Sequence, residues 1–162
     1  MYQEKLRQSD MALISHLRTD ARMTLTQLSR NTRIPVSTVF DRLRNYETSL
    51  ITKHTSLLDF NKFGFFARAT VILKVSKRHF EGIREFLSTH PHVNSLYKIN
   101  NGFDFLVEVI FTHVKELESF LEVLNSRFII KQKVVYYLLD EIKKEAFLSN
   151  TLTCSDILAV SG

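Results

Sequence analysis

The chain has 162 residues, 44% of them hydrophobic and 24% charged, with a formal net charge of +5. That length suits one or two small globular domains, since a core needs about 50–200 residues to close. No run approaches the ~20 apolar residues of a membrane helix. The polar opening MYQEKLRQSD has no apolar signal core, and the single cysteine, Cys154, has no partner for a disulfide or a metal cluster. A cytoplasmic protein without metal or cofactor is the expectation.

The charge is uneven. Residues 1–63 hold 10 Lys+Arg against 6 Asp+Glu, whereas 64–162 hold 12 against 11. Five arginines and one aspartate fall within 22–44. Such a segment suits phosphate contact, because neutralised phosphates release counterions. Ordinary solvated arginines would look the same.

In chain order, Asp10 can cap a first helix whose Leu13, Ile14 and Leu17 form one apolar stripe. The pattern breaks over Thr19–Met23, and Thr24 can cap a second helix bearing Leu25 and Leu28. Asn31-Thr32-Arg33-Ile34-Pro35 reads as a turn, with Pro35 suited to opening a third helix over Val36–Glu47. There Val39, Leu43 and Tyr46 face the core. Three short helices with a tight turn before the last match a winged-type helix-turn-helix over residues 1–50. In that arrangement the third helix enters the major groove. Removing its core positions leaves Ser37, Thr38, Asp41, Arg42, Arg44 and Asn45 outward, and hydroxyls, Arg and Asn suit base edges and phosphates. The plain alternative is a solvated face with Ser37 as a cap.

Residues 51–64 read as a connector with a short strand around Ile51–Leu58. After Gly64 the periodicity changes. Residues 66–75 are β-rich; 77–89 form a helix with Phe80, Ile83 and Leu87 on one face, ended by Pro91. Strands over Val93–Asn100 and Phe103–Phe111 meet at Asn101-Gly102, a dipeptide that accepts positive φ. Val114, Leu117, Leu121 and Leu124 mark another helix, and Ile129–Leu139 a last strand. The order β-α-β-β-α-β over 65–148 is the ferredoxin-like plan, so the fold class is α+β. A Ser/Thr-rich tail, 149–162, follows, with a short helix feasible over Asp156–Val160. No further helix is available for the sheet's second face, whose strands are rich in Phe, Tyr, Val and Ile. A homodimer, able to grow to a tetramer or octamer, is expected to cover it.

Several runs resemble the Lrp/AsnC (feast/famine) transcriptional regulators. The run from Ser9-Asp10 through Leu17-Arg18-Thr19-Asp20-Ala21-Arg22-Met23-Thr24 is similar to their opening helix and junction. Arg22 and Thr24 in that junction complete the DNA-binding candidates. Leu28-Ser29, Ser37-Thr38-Val39, Arg42-Leu43-Arg44 and Tyr46-Glu47 resemble their second and recognition helices, and Asp59…Phe63-Gly64 their connector. Asn100-Asn101-Gly102-Phe103-Asp104 resembles the loop of their regulatory domain, and Asp140-Glu141-Ile142-Lys143 the end of its last strand. The likeness implies a regulator of double-stranded DNA with an amino-acid effector, held by Asn100, Asn101, Gly102, Phe103, Asp104 and Val135. Three departures stand out: Arg33 where the family has Gly, a turn Thr48-Ser49-Leu50-Ile51 without Gly, and Val135 where relatives often have Thr.

Two other readings fit the same element order. Siroheme decarboxylases share this two-domain plan, but they would require a Trp-containing segment and a basic, His-bearing pocket; the chain has no Trp, and FDFLVEVIF at 103–111 has no cation. A metabolite-sensing domain without DNA binding is the other, given the altered turn at Thr48–Leu50. His90-Pro91-His92 is the only close His pair and lacks a second cluster to complete a metal site.

Overall fold

Three helices arise where the apolar spacing placed them: α1 (Gln8–Thr19), α2 (Leu25–Thr32) and α3 (Val36–Ser49). The computed structural model describes residues 7–150. They divide into two units, one holding these helices together with residues 142–150, the other spanning Leu57–Glu141.

In the helical unit the three stripes meet at Leu13, Leu28, Val39 and Tyr46, with Ile14, Leu17, Met23, Leu25, Ile34, Leu43 and Ile51 packed around them. Thr24 caps α2 as expected. Its hydroxyl accepts the Gln27 backbone N–H at 3.2 Å, and its own N–H donates to the Gln27 side chain at 2.8 Å. The start of α1 differs from expectation. The helix begins at Gln8, so Asp10 sits in the first turn rather than at the cap, and its carboxylate accepts the Arg7 backbone N–H at 2.8 Å. Between α2 and α3, Arg33 takes the left-handed conformation (φ 58°, ψ 29°). The turn is fixed by the Ser29 hydroxyl donating to the Ile34 carbonyl at 2.6 Å.

The end of α3 lies two residues beyond the expected Glu47. Thr48 and Ser49 donate their hydroxyls to the Asn45 carbonyl at 2.9 and 2.7 Å. The Leu50 and Ile51 N–H groups return to the Tyr46 carbonyl at 2.8 and 2.7 Å, closing the helix without a glycine. The strand expected over 51–58 is absent, and with it any wing strand among the described residues of this unit. Residues 51–59 have no regular structure, and a single helical turn, Phe60–Phe63, follows, ended by Gly64 at φ 84°. An isolated strand has no ladder to join, which is the physical reason for extended coil here.

Residues 142–150 group with the helices rather than with the sheet that precedes them, unlike the 65–148 boundary drawn from sequence. The Arg18 guanidinium donates to the Phe147 carbonyl at 3.1 Å and to the Glu145 carbonyl at 2.7 Å, and pairs with the Glu145 carboxylate at 3.0 Å. The Thr19 hydroxyl is shared between the carbonyls of Ser15 and Ser149. The helix suggested for 156–160 lies outside the described residues.

The second unit runs β1 (Ala67–Val75), α4 (Phe80–Thr89), β2 (Val93–Lys98), β3 (Phe105–Phe111), α5 (Val114–Arg127) and β4 (Ile130–Tyr137). The sheet order is β2-β3-β1-β4, antiparallel throughout, as the ferredoxin-like plan requires. Alternation decides its faces. Ala67, Ala69, Val71, Leu73 and Val75 share one buried core with Phe105, Val107, Val109 and Phe111, and α4 and α5 cover it with Ile83, Leu87, Leu117, Phe120, Leu121 and Leu124. Val114, read as part of the α5 stripe, is exposed instead, and Phe120 takes the buried place. Asn101 (φ 58°) and Gly102 (φ 87°) make the β2–β3 turn with two positive φ values, as the dipeptide foretold. The opposite face presents Thr70, Ile72, Leu106, Ile110, Val134, Tyr97 and Tyr136, and no element of this unit covers it.

Candidate nucleic-acid interface and effector loop

An α-helix turns 100° per residue, so α3 sorts its own side chains. Val39, Leu43 and Tyr46 define the inner stripe. On the opposite side Ser37, Asp41 and Arg44 lie within about 60° of one another, with Asn45 beside them; all four are exposed. Thr38 is half-buried at the margin. Ser37 makes no cap bond, since α3 has no side-chain cap at all; Pro35 precedes it, and the Pro35 carbonyl accepts the Val39 N–H at 3.0 Å. The plain reading of Ser37 as a cap therefore falls away.

Arg42 corrects the sequence reading. It lies three residues after Val39 and four before Tyr46, within the inner stripe rather than outside it. Its side chain is only 23% exposed, paired with the Asp10 carboxylate at 2.8 Å and bonded to the Ser9 hydroxyl at 2.8 Å. The Tyr46 hydroxyl donates to the same Asp10 oxygen at 2.6 Å. Partial burial works to raise the Asp10 pKa, but the bonds from Tyr46 and the Arg7 N–H, with the charge of Arg42, hold it below the ordinary 3.8. Burial and this carboxylate together push the Tyr46 phenol well above its usual range. Arg42 therefore clamps α3 to α1 and lies off the exposed outer face of the helix.

Arg22 is exposed in the turn before α2, its backbone N–H bonded to Asp20 at 2.9 Å. Thr24 stands at the surface too, but its hydroxyl is occupied by the capping box. Three further side chains of this segment, not among the residues singled out from sequence, stand at the surface: Arg30, Arg33 and Phe40. The arginines were visible in the charge count; Phe40 was not, because an aromatic on a helix is first read as core. Among the described residues Arg22, Arg30, Arg33 and Arg44 form no ion pair.

The effector candidates divide. Asn100, Asn101 and Gly102 are exposed at the β2–β3 turn, with Phe103 and Asp104 half-buried behind them. Asp104 staples the loop to the end of β1. Its carboxylate accepts the Val75 N–H at 2.8 Å and faces the Lys74 ammonium at 3.4 Å, while its own N–H donates to the Leu73 carbonyl at 2.8 Å. Val135 is elsewhere. It pairs with Val71 in mid-strand and packs on the core beneath the helices. From the register and ordinary strand spacings it lies roughly 14 Å from Asp104. The structure does not bring Val135 into the loop's site, because its side chain belongs to the buried face of β4.

His90 and His92 sit against Phe111 and Phe120, with the His92 ring stacked on Phe111 at 4.3 Å. Burial, and then His92, lower the His90 pKa. Among the described residues no group of three metal-ligating side chains occurs. No described helix is long and apolar enough to cross a membrane.

Comparison with known proteins fits this geometry. Residues 68–147 match the family model for the Lrp/AsnC ligand binding domain. The chain is 25% identical to the HTH-type transcriptional regulator FL11 of Pyrococcus horikoshii over 118 residues, covering 72% of this chain and 78% of that protein. It is 24% identical to the HTH-type transcriptional regulator LrpC of Bacillus subtilis over 139 residues, 85% of this chain and 94% of the relative. The LrpC structure superposes with a TM-score of 0.79 at 23% identity, covering 86% of this chain and 99% of LrpC. The transcriptional regulator NMB0573 of Neisseria meningitidis, solved as a complex with L-Met, gives 0.80 at 20% identity, covering 86% and 93%. These relatives are regulators, not enzymes. The chain belongs to the Lrp/AsnC family of transcriptional regulators.

Proposed function

We propose that the chain binds duplex DNA as a cytoplasmic homodimer, reads it with α3, and senses a small metabolite such as an amino acid through its sheet unit. The observation that carries the reading is the outer face of α3. Ser37, Asp41, Arg44 and Asn45 are exposed, and the same helical unit exposes Arg22, Arg30 and Arg33, which form no ion pair among the described residues. Arginine and asparagine read purine edges, an aspartate accepts from cytosine, and the surrounding cations meet phosphates. The apolar sheet face, from Ile72 to Tyr136, supports pairing with a second copy, which would set two recognition helices about one DNA turn or a multiple apart. Tetramers and octamers are extensions of that pair.

The relative crystallised with L-Met supports an amino acid as the effector. We assign its polar contacts to Asn100, Asn101, Gly102, Phe103 and Asp104. A ligand can change regulation only if it binds one assembly more tightly than another. Selection of bound sites from random duplex, with and without L-Met, tests the reading. Enrichment of a roughly palindromic site with fixed half-site spacing is expected. Recovery of unenriched sequence would remove the claim of specific binding.

A further inference from the structure

Phe40 is the one large aromatic of α3 left outside the helical core. The residue is 51% exposed, and Val36, one turn earlier, is 43% exposed. Neither packs in the core of Leu13, Leu28, Val39 and Tyr46. At 100° per residue Phe40 lies about 40° from both Val36 and Arg44, and about 60° from Ser37. Val36 lies only about 20° from Leu43 of the inner stripe, so the apolar pair runs along the flank of the outer face, with Phe40 next to Arg44 in the N-terminal turns that meet base edges in this docking mode.

We propose that Phe40 gives the recognition helix a preference for thymine, its ring resting on the C5-methyl group of one thymine per half-site. The inference rests on the DNA-binding reading above and names what that face selects. The major groove is lined with hydrogen-bonding groups, and the thymine methyl is its apolar landmark. An exposed phenyl ring gains nothing from phosphates or amide edges, but it gains by covering a methyl. The surrounding charge argues for DNA rather than a second copy of the chain. Arg42 is neutralised by Asp10, which leaves Arg22, Arg30, Arg33 and Arg44 against Asp41 as the exposed charges of residues 22–44, so two copies of this segment would repel, whereas a polyanion is attracted.

Fluorescence anisotropy on the selected duplex tests this, repeated with deoxyuridine replacing each thymine in turn. Deoxyuridine lacks only the methyl group. For the unaltered protein, substitution at one position in each half-site is expected to weaken binding about 3- to 10-fold, the scale of one buried methyl contact. Phe40→Ala should lose a similar factor on the thymine duplex and lose no more with deoxyuridine at that position. Phe40→Leu, which keeps an apolar contact, should retain part of the thymine preference. Because Phe40 is outside the core, both variants should keep the unaltered helix content. If Phe40→Ala retains the full thymine dependence, or the unaltered protein ignores the methyl, the inference is overturned while DNA binding stands. If no duplex is bound at all, the DNA-binding reading falls and takes this one with it.

Discussion

The guanidinium of Arg42 lies 2.8 Å from the carboxylate of Asp10, tying α3 to α1 within the helical unit. The pair is largely buried, with the Tyr46 hydroxyl on the same oxygen. Removing one partner strands the other, and hydrogen bonds to charged groups are worth about 1.5–3 kcal/mol. Asp10→Ala and Arg42→Ala should each destabilise the helical unit by about 2 kcal/mol in urea unfolding. The double variant should lose less than the sum, since the two act on one interaction.

The same carboxylate predicts an acid limb. Its folded-state pKa lies below the ordinary 3.8, so the stabilisation is fully present above the unfolded value and is lost as pH falls through the folded one. The stability difference between the unaltered protein and Asp10→Asn should be constant above about pH 5 and shrink below about pH 4. A difference that is flat down to about pH 2 would mean Asp10 is unperturbed.

Arg33 occupies a left-handed turn without being glycine. That conformation costs a residue with a Cβ roughly 1–2 kcal/mol. Arg33→Gly should therefore raise the thermal midpoint by several degrees despite removing a cation, at a net gain of roughly 1 kcal/mol. In DNA titrations it should also flatten the salt dependence if the guanidinium meets phosphate.

Arg18 holds the segment that follows the sheet. Its bonds to the Glu145 and Phe147 carbonyls leave with Arg18→Ala. Limited trypsin digestion should then cut severalfold faster after Lys143 or Lys144, with cleavage within the sheet unit unchanged. Equal rates at those sites would show that Arg18 does not restrain the segment.

The open sheet face supplies the oligomer test. Ile72 lies in the central strand β1, opposite Val134 on β4 and Leu106 on β3. Ile72→Asp should turn a dimer into a folded monomer in sedimentation velocity, because it would bury a carboxylate between two sheets. A dimer that survives would place the interface elsewhere.

Much of this was legible in the sequence, and the misses have physical causes. The ferredoxin-like sheet followed from the β-α-β-β-α-β order of the elements, and the Asn101-Gly102 turn from its tolerance of positive φ. Thr24 announced the start of α2. Arg42 was misread because charge was taken as a sign of exposure, whereas its spacing of three from Val39 and four to Tyr46 already put it inside. Phe40 was missed for the converse reason. Val135 was borrowed from a resemblance, and its parity with Val71 on a paired strand is a tertiary fact no local pattern contains. The Arg18 contacts with residues 145–147 are likewise separated by more than 120 positions, beyond the reach of periodicity.

The central claim is that the outer face of α3, and not its inner clamp, meets DNA. Anisotropy titrations of the selected duplex across a salt series, comparing Arg44→Ala with Arg42→Ala under conditions where both are folded, test it most directly. Arg44→Ala should weaken binding and, where the contact is to phosphate, lower the salt slope by about one, while folded Arg42→Ala keeps both affinity and slope. The reverse pattern, with Arg42→Ala alone losing affinity and slope, would contradict the account.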